Sequence, residues 1–398
     1  MPDFKSDMLR TIRGQPTQRI PWVPRLDLWY RANRRAGTLP PEACDATEAQ
    51  VAEILGAGRH AIVPDFKGDP APDAEIDRAL GLYRLSGMPC RTVLRDVDRR
   101  VTQDGDLTRV EYRTPVGTVR TAALYDDSMR AAGITISHVA EYAIKDAKDY
   151  AAVGYLFEHA AVEANYEGYL DFARAVGKAG LAAGFLSLAA SPMHLIQREL
   201  MPLDRFFFDL YDHPAALAAL AKSIAIYWNK LFAVAAASPA EIFLLGANYD
   251  ARVTYPPFFA AHIQPWLRRF ADQLHARKKY LLTHTDGENS GLLEHYVASG
   301  IDVADSVCPR PMTQLSIAEV RQVFARQGIT IMGGIPSVAL LHDSLSDREF
   351  DAFLDGFFTD IGRGDHLILG ISDTTPPGAD FERLKKIGRR IEEFGPVG

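Results

Sequence analysis

Short, almost wholly apolar runs that stop abruptly at polar residues recur through this chain, and stretches of helical spacing separate them. From about residue 180 the runs are LAAGFLSLAASP (181–192), EIFLLGANYD (241–250), KYLLTHTDG (279–287), GIDVADSVCP (300–309), ITIMGGIP (329–336) and DHLILGISDTTPP (365–377). A strand that is apolar on both faces has to be covered on both, which is the situation of a parallel sheet. The intervening YDHPAALAALAKSIAIYWNKLFAVAAA, PPFFAAHIQPWLRRFADQLHARK and LSIAEVRQVFARQG carry Ala, Leu and charged residues at helical spacing. Alternation of this kind predicts βαβ units with right-handed crossovers. RIPWVPRLDLWY (19–30) and RHAIVPDF (59–66) supply two further strands. Eight parallel strands with outer helices close as a (β/α)8 TIM barrel.

One segment breaks the rhythm. RTVLRDVDRRVTQDGDLTRVEYRTPVGTVRTAAL (91–124) alternates polar with β-branched residues and holds an Asp104-Gly105 turn, the pattern of antiparallel hairpins. It is expected as a β-hairpin insertion after the second strand, over about 85–130. No repeat or low-complexity linker divides the chain, so residues 1–398 read as one domain.

With 47% hydrophobic residues and 24% charged the chain can bury a large core, and its net charge of −7 offers nothing to a polyanion. Arg91, Arg95, Arg99 and Arg100 are interleaved with Asp96 and Asp98, so even the densest basic stretch is diluted and no nucleic-acid partner is expected. No stretch reaches the roughly 18 uncharged apolar residues of a membrane span, and MPDFKSDMLRTIRG lacks a signal-peptide core. Cys44, Cys90 and Cys308 are too scattered for a disulfide framework or a metal knuckle. The expectation is a cytoplasmic protein with no membrane partner.

In a barrel of this type chemistry sits at the C-terminal strand ends. The apolar runs end in Asp65, in Asn248 and Asp250, in His284 and Asp286, in Asp305 and Cys308, and in Asp373. Carboxylates are costly to bury unless paired, hydrogen-bonded or bound to a cation. A lone strand-end Asp also has a plainer use as a helix cap, a reading open for Asp65 and Asp305. In His284-x-Asp286 the two side chains share one side of the strand end. They are either a hydrogen-bonded pair or two donors to a divalent ion, with Asp373 as a third ligand. Zinc takes three protein ligands and keeps an open position, while an oxygen-rich set also suits harder cations. Gly333-Gly334 reads as a turn, Pro376-Pro377 as a stiffened loop, and Phe206, Phe207 and Phe208 as core. His194, His213, His262, His275, His295 and His342 read mostly as surface. GxGxxG, Walker A, HExxH and GxSxG motifs are absent.

At TPVGT (114–118), GANYD (246–250), HIQPWLRRFADQLHARKKYLLTHTDG (262–287), GIDVADSVCPRPMT (300–313), GGIP (333–336) and GISDTTPPGADFERL (370–384) the sequence resembles the uroporphyrinogen decarboxylase superfamily. The likeness is to its methyltransferase branch more than to the decarboxylases. It implies a (β/α)8 barrel and transfer of a methyl group between a small methylated compound and a corrinoid protein or a thiol. It also implies a zinc site of His-x-Cys plus a later Cys. His284 matches the His, whereas Asp286 stands at the first Cys and Asp373 near the second. Carboxylates in place of thiolates leave more positive charge on an ion, favouring Lewis-acid polarisation. WYRANRRAGTLPPE (29–42) is similar to the substrate-binding segment of the decarboxylases.

The sequence therefore predicts a metal-assisted methyltransferase with a small-molecule substrate. Its expected metal ligands are His284, Asp286 and Asp373, its catalytic residues Asp250 and Asp286, and its substrate contacts Asn248, Tyr249 and Asp305. The expected cofactors are a divalent metal, zinc first, and a corrinoid on a partner protein. A decarboxylase-like lyase using Asp250 or Asp286 for protons is the alternative, and a non-catalytic ligand-binding barrel the third.

Overall fold

Hydrogen bonding sorts the strands of the computed structural model, which describes residues 2–398, into three sheets. The antiparallel ones come first along the chain. Strands β1 (Cys90–Leu94) and β6 (Ala160–Ala164) pair with each other, and enclose a four-stranded sheet of β2 (Asp98–Asp104), β3 (Leu107–Thr114), β4 (Gly117–Leu124) and β5 (His138–Glu141). The insertion is thus larger than the predicted hairpin over 85–130. Its β2–β3 turn lies at the expected Asp104-Gly105, with Gly105 at φ 57°. TPVGT supplies the next turn, pairing Thr114 with Gly117.

The six apolar runs of the second half form one parallel sheet in chain order. They are β7 (Gly184–Ser187), β8 (Ile242–Ala247), β9 (Tyr280–His284), β10 (Val303–Val307), β11 (Thr330–Ile335) and β12 (Leu367–Ile371). Side chains alternate between two apolar environments, which is why the runs show no polar alternation. Ala183, Phe185, Ile242, Leu244, Leu282, Val303, Met332 and Ile368 face an inner cluster that the helix Phe4–Ile12 joins through Phe4, Met8, Leu9 and Ile12. Leu186, Phe243, Leu245, Leu281, Ala304, Ile331 and Leu369 pack outward against the helices. Gly333-Gly334 lies inside β11 rather than in a turn, with φ 109° and 96°, and a Cβ on Gly333 would come within 3.1 Å of the Val307 nitrogen.

The two upstream runs are not regular strands. Pro21 and Pro24 interrupt the first and Pro64 the second, and proline has no N–H to give a ladder. Residues 27–30 of the first run already belong to the helix Asp27–Ala36. Both runs still hydrogen-bond in sequence: Trp22 bridges Leu369 in parallel, the Gly58 N–H donates to the Trp22 carbonyl at 2.8 Å, and the Ala183 N–H donates to the Ala61 carbonyl at 2.9 Å.

The helix Pro214–Ala237 is long and apolar enough by composition to cross a bilayer. Its Leu217, Leu220, Ile224, Trp228, Leu231 and Phe232 are instead buried in the core. Of the three consecutive phenylalanines only Phe206 is core; Phe208 is exposed, because successive helical residues point in different directions.

Asp77, only 2% exposed, ties the insertion to the rest of the fold. It accepts hydrogen bonds from Arg99 at 2.7 Å, Arg84 at 3.2 Å and the Tyr112 hydroxyl at 2.7 Å. Asp77→Ala would leave two guanidinium groups and a phenol without their shared acceptor. The expected loss is about 3 kcal/mol, the low end for a broken buried pair because the arginines are partly exposed. Urea unfolding measures it, and a loss below about 0.5 kcal/mol, the range of ordinary surface changes, contradicts it.

Candidate metal centre at the strand ends

His284 is the last residue of β9, and the parallel register places it opposite Asp305 of β10. The side chains meet there: Nδ1 lies 2.6 Å from Asp305 Oδ2, with the two residues 4% and 3% exposed. This contact fixes the ring and turns Nε2 toward Asp373 Oδ1, 3.4 Å away beyond the end of β12. Asp286 follows two residues after His284, and one donor atom from each of His284, Asp286 and Asp373 lies within 4.8 Å of the others.

Unusual backbone conformations aim these groups. Asn248, Ser306 and Asp373 have φ of 56°, 59° and 57°, a left-handed region that non-glycine residues seldom occupy and that clusters at functional sites. The Asp373 N–H donates to Ser306 Oγ at 2.6 Å, so two of the three support each other. Gly287, at φ 117°, lets the loop after His284 lie against the β8 loop, where a Cβ would come within 2.2 Å of the Tyr249 carbonyl. Asn248 donates to Asp286 Oδ2 at 3.2 Å and is itself held by Arg198 at 3.2 Å.

Burial by itself would lower the pKa of His284, but the hydrogen bonds to Asp305 and Asp373 and their charges outweigh it and raise it to about 10. Burial pushes Asp373 up, and His284 and Arg25 more than reverse this, bringing it to about 2. Asp286 is raised, first by burial and then by the nearby charge of Asp373. Arg25, itself buried, donates to Asp27 at 2.9 Å and to Asp373 at 3.3 Å. Asp27, Asp286, Asp305 and Asp373 thus face one guanidinium and one imidazole, an excess of negative charge that a dication would balance.

The donor set fits such an ion. An imidazole whose far nitrogen is held by a carboxylate is the usual second-shell arrangement of a histidine ligand. Bonds of about 2 Å need donors roughly 3–4 Å apart. The three donor atoms, within 4.8 Å of one another, lie close to that spacing.

The other expected site residues fall elsewhere. Tyr249, expected at a substrate, is fully enclosed: its hydroxyl meets Thr283 Oγ1 at 2.7 Å, and it packs on Phe259 and Tyr296. Asp305, expected at a substrate, is buried with its carboxylate against His284 Nδ1. Asp250 accepts the Arg252 N–H at 2.8 Å within its own turn. Asp65 closes a turn, with no helix after it to cap, accepting the Lys67 and Gly68 N–H groups and pairing with Arg31 at 2.8 Å. Cys308 is buried, its Sγ 3.6 Å from Met312 Sδ. His194, expected at the surface, is buried and accepts the Ala190 N–H at 3.1 Å; burial lowers its pKa to about 3. Arg25, Asp27, His60 and Arg198 belong to the site region and are not among the residues singled out from sequence. The available signal was position, since Arg25 and Asp27 are the polar residues that interrupt the run 19–30.

No family model matches the chain, and no curated protein matches its sequence. Among solved structures it is similar to a methyltransferase from Methanosarcina mazei, with 13% identity, a TM-score of 0.51 and 99% of each chain covered. That likeness establishes a shared fold over the full length.

The His284 geometry has a consequence for the metal-free protein. A folded pKa raised from about 6.5 to about 10 stabilises the fold fully below the unfolded value, and the contribution is lost as pH rises through the folded one. With chelator present, the urea midpoint is expected to fall between pH 6.5 and 10, and His284→Gln to flatten this fall. An unchanged slope in the variant contradicts the assignment.

Proposed function

We propose that this protein is a metal-assisted methyltransferase, moving a methyl group from a small methylated compound to a corrinoid on a partner protein or to a thiol. The observation that carries the reading is the convergence of His284, Asp286 and Asp373 at the strand ends, with Asp305 behind the imidazole. The name of the similar structure, a methyltransferase, agrees with it. We further propose that the strands close as a (β/α)8 barrel. The hydrogen bonds running from β12 through residues 21–23 and 58–61 to β7 support that closure. Three free thiols fit a reducing, cytoplasmic setting.

In this reading His284, Asp286 and Asp373 hold the ion, zinc being suited to three protein ligands with one open position. A bound ion would supply Lewis acidity, withdrawing electron density from the heteroatom that carries the methyl group. Asp305 keeps the imidazole oriented, Arg25 offsets the carboxylate charge, and Arg198 with Asn248 holds Asp286 in place. The carbon–heteroatom bond leaves its electron pair on the heteroatom, and the acceptor's pair forms the new bond to the methyl carbon.

A second reading rests on the elevated pKa of His284. An imidazolium held between two carboxylates can act as an acid without a metal, which suits a lyase working on a carboxylated substrate.

Metal analysis of the purified chain separates the two. The expected result is one zinc per chain, sub-stoichiometric zinc in His284→Ala and Asp373→Ala, and methyl transfer to reduced cobalamin that chelation abolishes and zinc restores. Zinc affinity should also rise with pH, because binding displaces the imidazole proton. Activity on a carboxylated substrate that survives exhaustive chelation would establish the lyase instead. Asp305→Asn should weaken zinc binding about 10–100-fold, the usual cost of losing a partner behind a histidine ligand; unchanged affinity would remove Asp305 from the site.

A further inference from the structure

Arg198 does more than hold Asn248. It lines a cavity of about 290 Å³ between the insertion and the turn that follows β7. Ile134, His138 and Tyr142 come from the insertion, and Arg78, Arg198 and Glu199 face them. Arg198 and Glu199 lie in a π-helical turn, Ile196–Leu200, a rare conformation that is frequent at functional sites. Arg198 Nη1 also donates to the carbonyl of Ala247, the last residue of β8, so the cavity lies at the same end of the sheet as His284.

The charges around this cavity do not cancel. Glu199 is shared, with Arg78 Nη1 on its Oε2 and Arg198 Nε donating to its Oε1 at 3.0 Å. Two guanidinium groups against one carboxylate leave one positive charge uncompensated. Glu75, beside Ser137, and Glu141 of β5 are taken by Lys67 and Lys145. Asp286 reaches Arg198 only through the neutral amide of Asn248.

Donor capacity is left over as well. Arg198 spends Nε–H on Glu199, one Nη1–H on Ala247 and one Nη2–H on Asn248, so each Nη keeps a second N–H. Its side chain is 22% exposed against 2% for Glu199, so the guanidinium is open to the cavity where the carboxylate is not. Paired N–H groups on a guanidinium suit a carboxylate. A monoanion balances the one uncompensated charge, and a phosphate dianion would exceed it.

We propose that this cavity binds the carboxylate of a small-molecule substrate, held by Arg198, with the rest of the molecule running past Asn248 toward the strand-end site. Binding rests on the cavity alone; that the bound molecule is the methyl donor rests on the methyltransferase reading.

Ligand-observed NMR titration of the full chain with methoxyacetate and its neutral analogue methoxyacetamide near neutral pH, with and without chelator, provides the test. Wild type is expected to bind methoxyacetate at least about tenfold more tightly, the order of a charge-assisted hydrogen bond. Arg198→Gln should erase the preference and leave methoxyacetamide binding unchanged. Arg59→Gln, which removes a guanidinium that does not line this cavity, should keep it. Equal affinities in wild type overturn the proposal without recourse to any variant, as does no binding of either probe. A preference that survives in Arg198→Gln, or is lost in Arg59→Gln, also overturns it. One that chelation removes would put the carboxylate on a bound ion and overturns it too. A carboxylate preference without methyl transfer from any donor would sink the methyltransferase reading and leave this one standing; methyl transfer without the preference would do the reverse.

Discussion

The hydrogen bond between His284 and Asp305 is the contact on which the strand-end site depends. The β9–β10 register sets it, since the two residues are direct partners across parallel strands. It satisfies one ring nitrogen in a buried place and thereby directs the other at Asp373. A one-residue slip would turn both side chains to opposite faces and disperse the cluster. The apolar strands beneath, packed on two sides, make that slip costly. Core packing and site geometry are therefore one constraint.

The fold was legible wherever a run was apolar on both faces. All six strands of the parallel sheet lie inside the runs quoted for them, because a strand covered on both faces has to be apolar throughout. The two upstream runs were misread as regular strands because their apolar character outlasts their pairing, which proline breaks. At the site, His284, Asp286 and Asp373 could be read as strand-end residues. Tyr249 could not, since alternation fails at Asn248: its left-handed backbone turns the next side chain into the core. Arg25 and His60 escaped for a related reason. They lie inside interrupted runs, where no strand end announces itself.

The methyltransferase of similar fold is only 13% identical to this chain, yet the architecture persists over both full lengths. A core built on a parallel sheet asks only for apolar residues of suitable volume on its two faces. The ligand set is more exacting. Relative to the family pattern that the sequence resembles, Asp286 stands at one thiolate position and Asp373 near the other. Thiolates neutralise an ion and hold it as a soft centre; carboxylates leave it harder and more electrophilic. In the proposed reaction that difference favours activating a donor through its heteroatom over delivering a metal-bound thiolate.

The insertion is not independent of this chemistry. Thr135, between its fourth and fifth strands, receives a hydrogen bond from Arg25 at 3.4 Å, and its carbonyl receives the Lys67 N–H at 3.0 Å. Ser137 accepts from Lys67 at 2.6 Å and donates its N–H to Glu75 at 2.8 Å. Arg25 meanwhile touches Asp373. The segment before β5 is therefore linked to a candidate metal ligand through a single guanidinium. Because that guanidinium is shared, displacing the segment would release one of the hydrogen bonds that hold it beside Asp373. Buried ion pairs respond strongly to the loss of one partner, so the insertion is placed to affect ion affinity without contributing a ligand of its own.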